Sequence, residues 1–192
     1  MTHSTYADIF LPHKKVHSLF YNIALVIAGS LLLTISAKFS FPIPFSPVPV
    51  TLQTLAVLLI GTLLGSKRGS ITVLFYLSQG IMGLPVFAKG GAGFAYLLGP
   101  TGGYLVGFVF AAFLAGFLAE KGWDRSFAKT ALAMTLGTIV IFIFGIGWLS
   151  VFVGINKAVL LGLMPFIIGE VFKILIADAL LPSGWKILEK LR

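Results

Sequence analysis

Long apolar stretches without a charged side chain make up most of this sequence. Five such stretches, each of 20 to 30 residues, occupy 16–37, 39–66, 69–88, 90–119 and 130–156. A helix needs roughly 20 predominantly apolar residues to cross a bilayer, so each stretch is long enough for a span. The pattern predicts an all-α integral membrane protein with a single six-helix membrane domain over 1–192. The predicted spans are 18–37, 48–65, 70–87, 102–119, 130–152 and 160–181, after a short N-terminal segment of about 1–17.

Composition favours the membrane and excludes an ordinary soluble domain. Of the 192 residues, 58% are hydrophobic and only 10% are charged, and the mean hydropathy is +1.03. Soluble domains carry about 25% charged residues. The polar N-terminal residues lead into the first apolar stretch without a small-residue cleavage motif, which favours a retained span over a removed signal peptide. The sequence therefore predicts a multi-pass protein of the cell membrane.

The basic residues are distributed unevenly between the two sides of the predicted bundle. Ten of the fourteen lysines and arginines fall in the N-terminal segment, in the 2–3 and 4–5 connections and in the C-terminal tail. Three fall in the other connections. Because basic residues in short loops stay cytoplasmic, both termini are predicted to be cytoplasmic. This placement, next to membrane lipid headgroups, accounts for nearly all of the net charge of +8, so nucleic acid is not an expected partner.

The residue types that carry much of enzyme and metal chemistry are missing from the predicted spans. The chain has no cysteine, and its three histidines, His3, His13 and His17, all precede residue 18. Thiolate chemistry, a Ser–His pair and a zinc motif within the membrane are thereby excluded. No G-x-x-x-x-G-K-[ST] phosphate-binding motif occurs. We therefore expect no catalytic residues, no metal, no cofactor and no enzymatic activity in this chain.

Two of the predicted outer connections have unusual compositions. Residues 41–49 contain four prolines, which favour a stiff, extended entry to the second span. Residues 89–104 contain six glycines next to aromatic and aliphatic side chains. Irregular backbone at membrane depth is tolerated only where protein buries it or where it lines a cavity. We interpret this second connection as a segment that covers a ligand, with a flexible outer loop as the alternative.

The predicted sixth span contains three charged residues, Glu170, Lys173 and Asp178. Inserting a charged residue near the bilayer centre costs on the order of 2.5–3.5 kcal/mol of free energy. Three charged residues in one span therefore indicate a structural or functional role. Glu170 and Lys173 are three residues apart and share one helix face. Such a pair suits a neutral ligand with N–H and C=O groups side by side, such as a urea or an amide; a purely structural ion pair is the alternative. The other polar positions mostly favour hydrogen bonds between helices, and among them Gln53 is the best candidate for a ligand contact.

Four segments of the sequence resemble the BioY family. They are PVPVTLQTLAVLLIG (47–61), LGSKRG (64–69), GLPVF (83–87) and LGPTGGYLVGF (98–108). BioY proteins are the biotin-specific substrate-binding (S) subunits of energy-coupling factor (ECF) transporters. The resemblance implies a six-helix S-component fold that captures biotin from the outer side for import. It also implies a separate transmembrane coupling (T) subunit and two ATPases as partners, which fits the missing phosphate-binding motif.

The resemblance further implies roles for individual residues. In the family, an acid, usually aspartate, and a lysine three residues later hydrogen-bond the ureido ring of biotin, a pattern that falls here on Glu170 and Lys173. The connection between the third and fourth spans resembles the ligand-covering segment of the family, and its expected ligand-contact residues are Lys89, Gly93 and Tyr96.

A small-residue motif in the first span resembles the surface with which S components contact the coupling subunit. The Ala-xxx-Ala pattern of the family is matched by Ala24 and Ala28. Two other functions stay open at this point. One is an S component for a different vitamin. The other is a non-transport membrane protein, such as a scaffold or a lipid-handling enzyme that uses Glu170 and Lys173.

Overall fold

The computed structural model describes residues 4–12 and 15–191, which form a mostly helical bundle with one two-stranded ribbon. Of the predicted N-terminal segment, residues 1–3, 13 and 14, with His3 and His13, lie outside the described residues, as does Arg192 of the tail. The helices are α1 (Tyr6–Ile9), α2 (Lys15–Lys38), α3 (Gln53–Leu64), α4 (Ser66–Ile81), α5 (Phe94–Leu97), α6 (Gly102–Ala119), α7 (Phe127–Val153), α8 (Ile155–Gly162) and α9 (Ile167–Leu191). Strands β1 (Ser40–Phe41) and β2 (Val50–Thr51) pair antiparallel, and single 3-10 turns cover Ala88–Gly90, Trp123–Arg125 and Met164–Phe166.

Within the described residues, four helical segments are long and apolar enough to cross a membrane: Lys15–Lys38, Gly102–Ala119, Phe127–Val153 and Ile155–Lys190. Two further helices, α3 with 12 residues and α4 with 16, are shorter than a standard span. That the chain crosses the membrane six times therefore stays a prediction.

Proline and glycine explain where the helices depart from the predicted spans. The second predicted span starts as the strand Val50–Thr51, since prolines in 42–49 remove backbone donors before it. The third ends at Ile81, because residues 82–87 include a glycine and a proline. The sixth is interrupted by a 3-10 turn that contains Pro165, which separates α8 from α9.

Helix α6 lies at the centre of the bundle and packs against α3, α4 and α7. Its buried face consists largely of glycine and alanine, which let neighbouring helices approach closely. One close approach is to α3: a Cβ added at Gly61 would lie 2.3 Å from the carbonyl oxygen of Ala112. A cavity lies nearer one end of the bundle.

The connections 39–52 and 82–101 cover that end, which we call the loop end. The β1–β2 ribbon joins the two sides of the proline-rich connection, and the Ser46 hydroxyl fixes it to α8 by donating to the Leu161 carbonyl at 2.7 Å. The Gly93 N–H donates to the Gly80 carbonyl at 2.7 Å, which anchors the glycine-rich connection to the end of α4. Both connections are thus attached to the helices.

The opposite end, the base of the bundle, is closed by the N-terminal segment. The Tyr6 hydroxyl donates to the Leu181 carbonyl of α9, and Asp8 forms an ion pair with Arg68 at 2.8 Å. Burial opposes ionisation of Asp8, but hydrogen bonds from the backbone and hydroxyl of Thr5 and from Arg68 outweigh it and lower the pKa of the carboxyl. These contacts join the first described residues to α4 and α9.

Candidate functional site

Glu170 and Lys173 of α9 meet Thr54 of α3 in a three-residue cluster. The Lys173 ammonium donates to Glu170 Oε1 at 2.6 Å and to Thr54 Oγ1 at 2.8 Å. The Thr54 hydroxyl donates in turn to Glu170 Oε1, also at 2.8 Å. Glu170 is 5% exposed and Lys173 is 7% exposed. A buried charge is tolerated when it is paired and hydrogen-bonded, and each member of this cluster satisfies the others.

The positions at which α3 and α9 begin explain why these residues meet. Helix α9 starts anew after the turn that contains Pro165, so Glu170 lies in its first turn, well inside the predicted sixth span. Helix α3 begins at Gln53, directly after β2, so Thr54 lies in the first turn of that helix. Two helix starts therefore bring the three polar side chains together inside the bundle.

Gln53 belongs to a second buried network beside the cluster. Its amide nitrogen donates to the Tyr76 hydroxyl at 2.8 Å, and that hydroxyl donates to the Val86 carbonyl at 2.9 Å. These two hydrogen bonds link α3, α4 and the connection 82–101. Gln53 is only 3% exposed, so the network fixes the orientation of its amide.

The three residues of the cluster and Gln53 line a cavity of about 50 Å³ under the loop end. This volume holds a few water molecules. Most of the wall is apolar or aromatic, a lining typical of small-molecule sites with a few polar groups that orient the ligand. The aromatic lining residues are Tyr96, Tyr104, Phe108, Phe142 and Phe166.

Tyr96 closes the cavity from the loop end. Its ring stacks on Phe87 with centroids 5.0 Å apart, and Phe87 meets Tyr76 edge-on at 5.6 Å. Gly91 has no side chain because Tyr96 fills that space: an added Cβ would lie 2.1 Å from the ring. The covering segment is therefore packed against α4 through a row of aromatic rings.

The structure places the remaining predicted residues outside the cavity wall. Gly93 anchors the covering segment through its N–H and has a φ of +84°. Lys89 is exposed and lines a separate depression nearer the surface. Ala24 and Ala28 are exposed on α2.

Thr54 and the aromatic wall other than Tyr96 are the parts of the site that the sequence did not single out. Thr54 stands among several polar residues near the start of the predicted second span, and its role depends on its contact with α9. The sequence offers one further clue, at Tyr104. A tyrosine within an apolar span needs a hydrogen-bond partner for its hydroxyl, which distinguishes it from the phenylalanines of the wall. Its hydroxyl donates to the Gly162 carbonyl at 2.8 Å.

Comparisons with known proteins place the chain in a family. The sequence model described as the BioY family matches residues 11–190. A "Probable biotin transporter BioY" of Pyrococcus horikoshii is 41% identical over 151 residues, which cover 79% of this chain and 88% of that protein. The "Biotin transporter BioY" of Thermotoga maritima is 43% identical over 136 residues, 70% of this chain and 79% of that protein.

A solved structure agrees with the sequence comparisons. The crystal structure of "the S-component for biotin from an ECF-type ABC transporter" superimposes with a TM-score of 0.77 at 28% identity, covering 91% of this chain and 95% of that one. The resemblance seen in four sequence segments is thereby confirmed. The chain belongs to the BioY family.

Proposed function

We propose that this chain captures biotin at the outer side of the cell membrane as the substrate-binding subunit of an ECF-type importer. The observation that carries the proposal is the buried Glu170–Lys173–Thr54 cluster at an apolar cavity, in a chain that belongs to the BioY family. Its relatives are transport proteins, and we assign this chain no catalysis. Its long apolar helices and transporter relatives make it a multi-pass protein of the cell membrane.

The chemistry of the cluster suits the ureido group of biotin, which carries two N–H donors and one carbonyl acceptor. Both hydrogen bonds described at Glu170 use Oε1, so Oε2 is the oxygen that accepts a ureido N–H. Lys173 donates to the ureido oxygen. Hydrogen bonds to charged groups are stronger than neutral ones, which makes this pair the main source of specificity. Gln53 and Tyr96 complete the wall around the ring system.

The small size of the cavity indicates how the ligand enters. About 50 Å³ is too little for biotin, since pockets for small molecules typically have ~300–1,000 Å³. The helices around the cavity are closely packed, whereas Tyr96 belongs to a connection. Biotin therefore enters when the covering segment around Tyr96 and Gly93 moves away from the loop end.

The topology and partners follow from the charges and the exposed face of α2. Six spans with both termini in the cytoplasm place the loop end outside, where biotin arrives. The base then faces the cytoplasm, and Ala24 and Ala28 form a flat strip for the T subunit. ATP is hydrolysed on separate subunits, because this chain has no G-x-x-x-x-G-K-[ST] motif.

Equilibrium binding to the detergent-purified protein tests the proposal. We expect saturable, tight binding of biotin and no comparable binding of other vitamins. Tighter binding of another vitamin would make the chain an S component for that vitamin. A folded protein that binds neither would contradict the proposal.

A further inference from the structure

A second depression lies directly outside the cavity, at the surface of the loop end. Its volume is about 310 Å³. Four of its lining residues, Pro49, Ala88, Tyr96 and Thr101, also line the inner cavity. The two spaces therefore adjoin, and a ligand that reaches Glu170 from the loop end passes through the depression. Lys89 is the charged residue among those that line it.

The backbone of Lys89 is held in an unfavourable conformation. Its φ and ψ are 57° and 24°, and the other described residues with positive φ are all glycines. Side chains other than glycine adopt this left-handed region at a cost, which often marks a functional position. Two backbone hydrogen bonds between Phe87 and its neighbours close the turn: Phe87 N–H to the Gly91 carbonyl and Gly90 N–H to the Phe87 carbonyl, both 3.1 Å. Glycine would adopt this conformation at position 89 without strain, whereas lysine places a charged side chain there at a cost in backbone energy.

The charge of Lys89 is not balanced by acids on its own surface. The connections 39–52 and 82–101 contain no aspartate or glutamate, and Lys89 is exposed. At the inner end of the path, by contrast, Lys173 and Glu170 neutralise each other. The path therefore runs from a positively charged rim to an inner site with no net charge.

From this distribution we infer that Lys89 binds the carboxylate at the outer end of the ligand and makes the site selective for an anionic tail. This inference rests on the proposed function. Biotin carries its neutral ureido ring at one end and a carboxylate at the end of a flexible aliphatic chain. With the ring held by Glu170 and Lys173, the carboxylate extends outward into the depression, where the ammonium group attracts it.

The experiment compares biotin with biotin methyl ester, which has the same ring and chain but no charge. In Lys89→Gln, biotin should bind about threefold to tenfold more weakly, as expected for a partly exposed charge pair. Binding of the ester should stay as in the unchanged protein. Lys89→Arg keeps the charge and should restore most of the affinity for biotin. Lys38→Gln removes a different exposed lysine and should change neither Kd.

Ionic strength provides a second measurement on the same proteins. Salt at ~1 M shortens the Debye length to about 3 Å, so it should weaken biotin binding to the unchanged protein and spare the ester. The inference is overturned if Lys89→Gln weakens both ligands equally, or weakens neither. The proposed function fails in a different way, because the unchanged protein then binds neither biotin nor its ester.

Discussion

Lys173 Nζ lies 2.6 Å from Glu170 Oε1 on the next turn of the same helix, with less than a tenth of either side chain exposed. The ion pair alone would be weak evidence for a site, since buried pairs also occur as structural elements. Its surroundings distinguish it. Thr54 from another helix bonds to both partners, and the cluster borders a cavity with aromatic walls.

Glu170→Gln and Lys173→Met should each weaken biotin binding by at least about tenfold. A hydrogen bond to a charged group contributes roughly 1.5–3 kcal/mol, and 1.4 kcal/mol is a factor of ten in affinity. The double variant should lose less than the sum, because each single change leaves the other charge buried without its partner. Titration of the purified variants with biotin measures all three effects.

Two further variants serve as controls for this pair. Glu170→Asp, which has the acid more usual in the family, should keep function. Asp178→Asn alters a residue of the same helix that does not line the cavity and should leave the affinity nearly intact. Unchanged affinity in both Glu170→Gln and Lys173→Met, with the proteins folded, would remove the pair from the site.

Thr54→Val should weaken biotin binding although its shape is almost unchanged. The Thr54 hydroxyl donates to Glu170 Oε1 and accepts from Lys173, so it directs the other carboxylate oxygen toward the ligand. Its loss should cost roughly 0.5–1.5 kcal/mol, or about twofold to tenfold in Kd. Thr54→Ser keeps the hydroxyl and should bind like the unchanged protein. Weaker binding in Thr54→Ser together with normal binding in Thr54→Val would instead assign the role of Thr54 to packing of its methyl group.

The long helices were predictable because run length and apolar character determine them. Helix α6 coincides with the predicted span 102–119, and α2 and α7 extend their predicted spans by three residues or fewer at each end. The breaks were harder to locate. Residues 82–87 and Pro165 lie within apolar sequence, and only the structure shows that the helices stop there.

The candidate site was predictable only as far as it is local in sequence. The spacing of Glu170 and Lys173 implies their contact, which the structure contains. The contact of Thr54 with Glu170 and Lys173 depends on which face of α3 packs against α9. A single sequence carries no information on that pairing. Phe108 and Phe142 read as ordinary core residues, since apolar character alone does not distinguish a cavity wall from packed interior.

Asp8 should make the stability of the base depend on pH. Its pKa is lowered in the folded protein, so the ionised carboxylate stabilises the fold above the ordinary value of about 3.9. This contribution should be lost as the pH falls below that value through the folded-state pKa. Asp8→Asn should lower stability at pH ~7 by about 1 kcal/mol or less, because the pair with Arg68 is partly exposed. Thermal unfolding at several pH values measures this, and an unchanged pH profile in Asp8→Asn would assign the dependence to other groups.

Accessibility reporters should separate the two ends of the bundle. If basic loops mark the cytoplasm, reporters at Lys67, Arg125 and the C-terminus should read inside. Reporters near Pro44 and Lys89 should read outside, because both positions lie in the connections of the loop end. A cytoplasmic signal at Lys89 would overturn both the six-span topology and the proposed route of biotin.

Ala24 and Ala28 should be required for assembly with the T subunit and dispensable for biotin binding. Both are exposed and one helical turn apart on α2, and small residues let another helix approach closely. Replacing either with Leu should block that approach and reduce co-purification of the complex, while the isolated subunit keeps its affinity for biotin. Ala179→Leu introduces the same bulk at an exposed position of α9 and should leave assembly intact. Joint loss of assembly and biotin binding in the α2 variants would instead identify the strip as part of the packing of this chain.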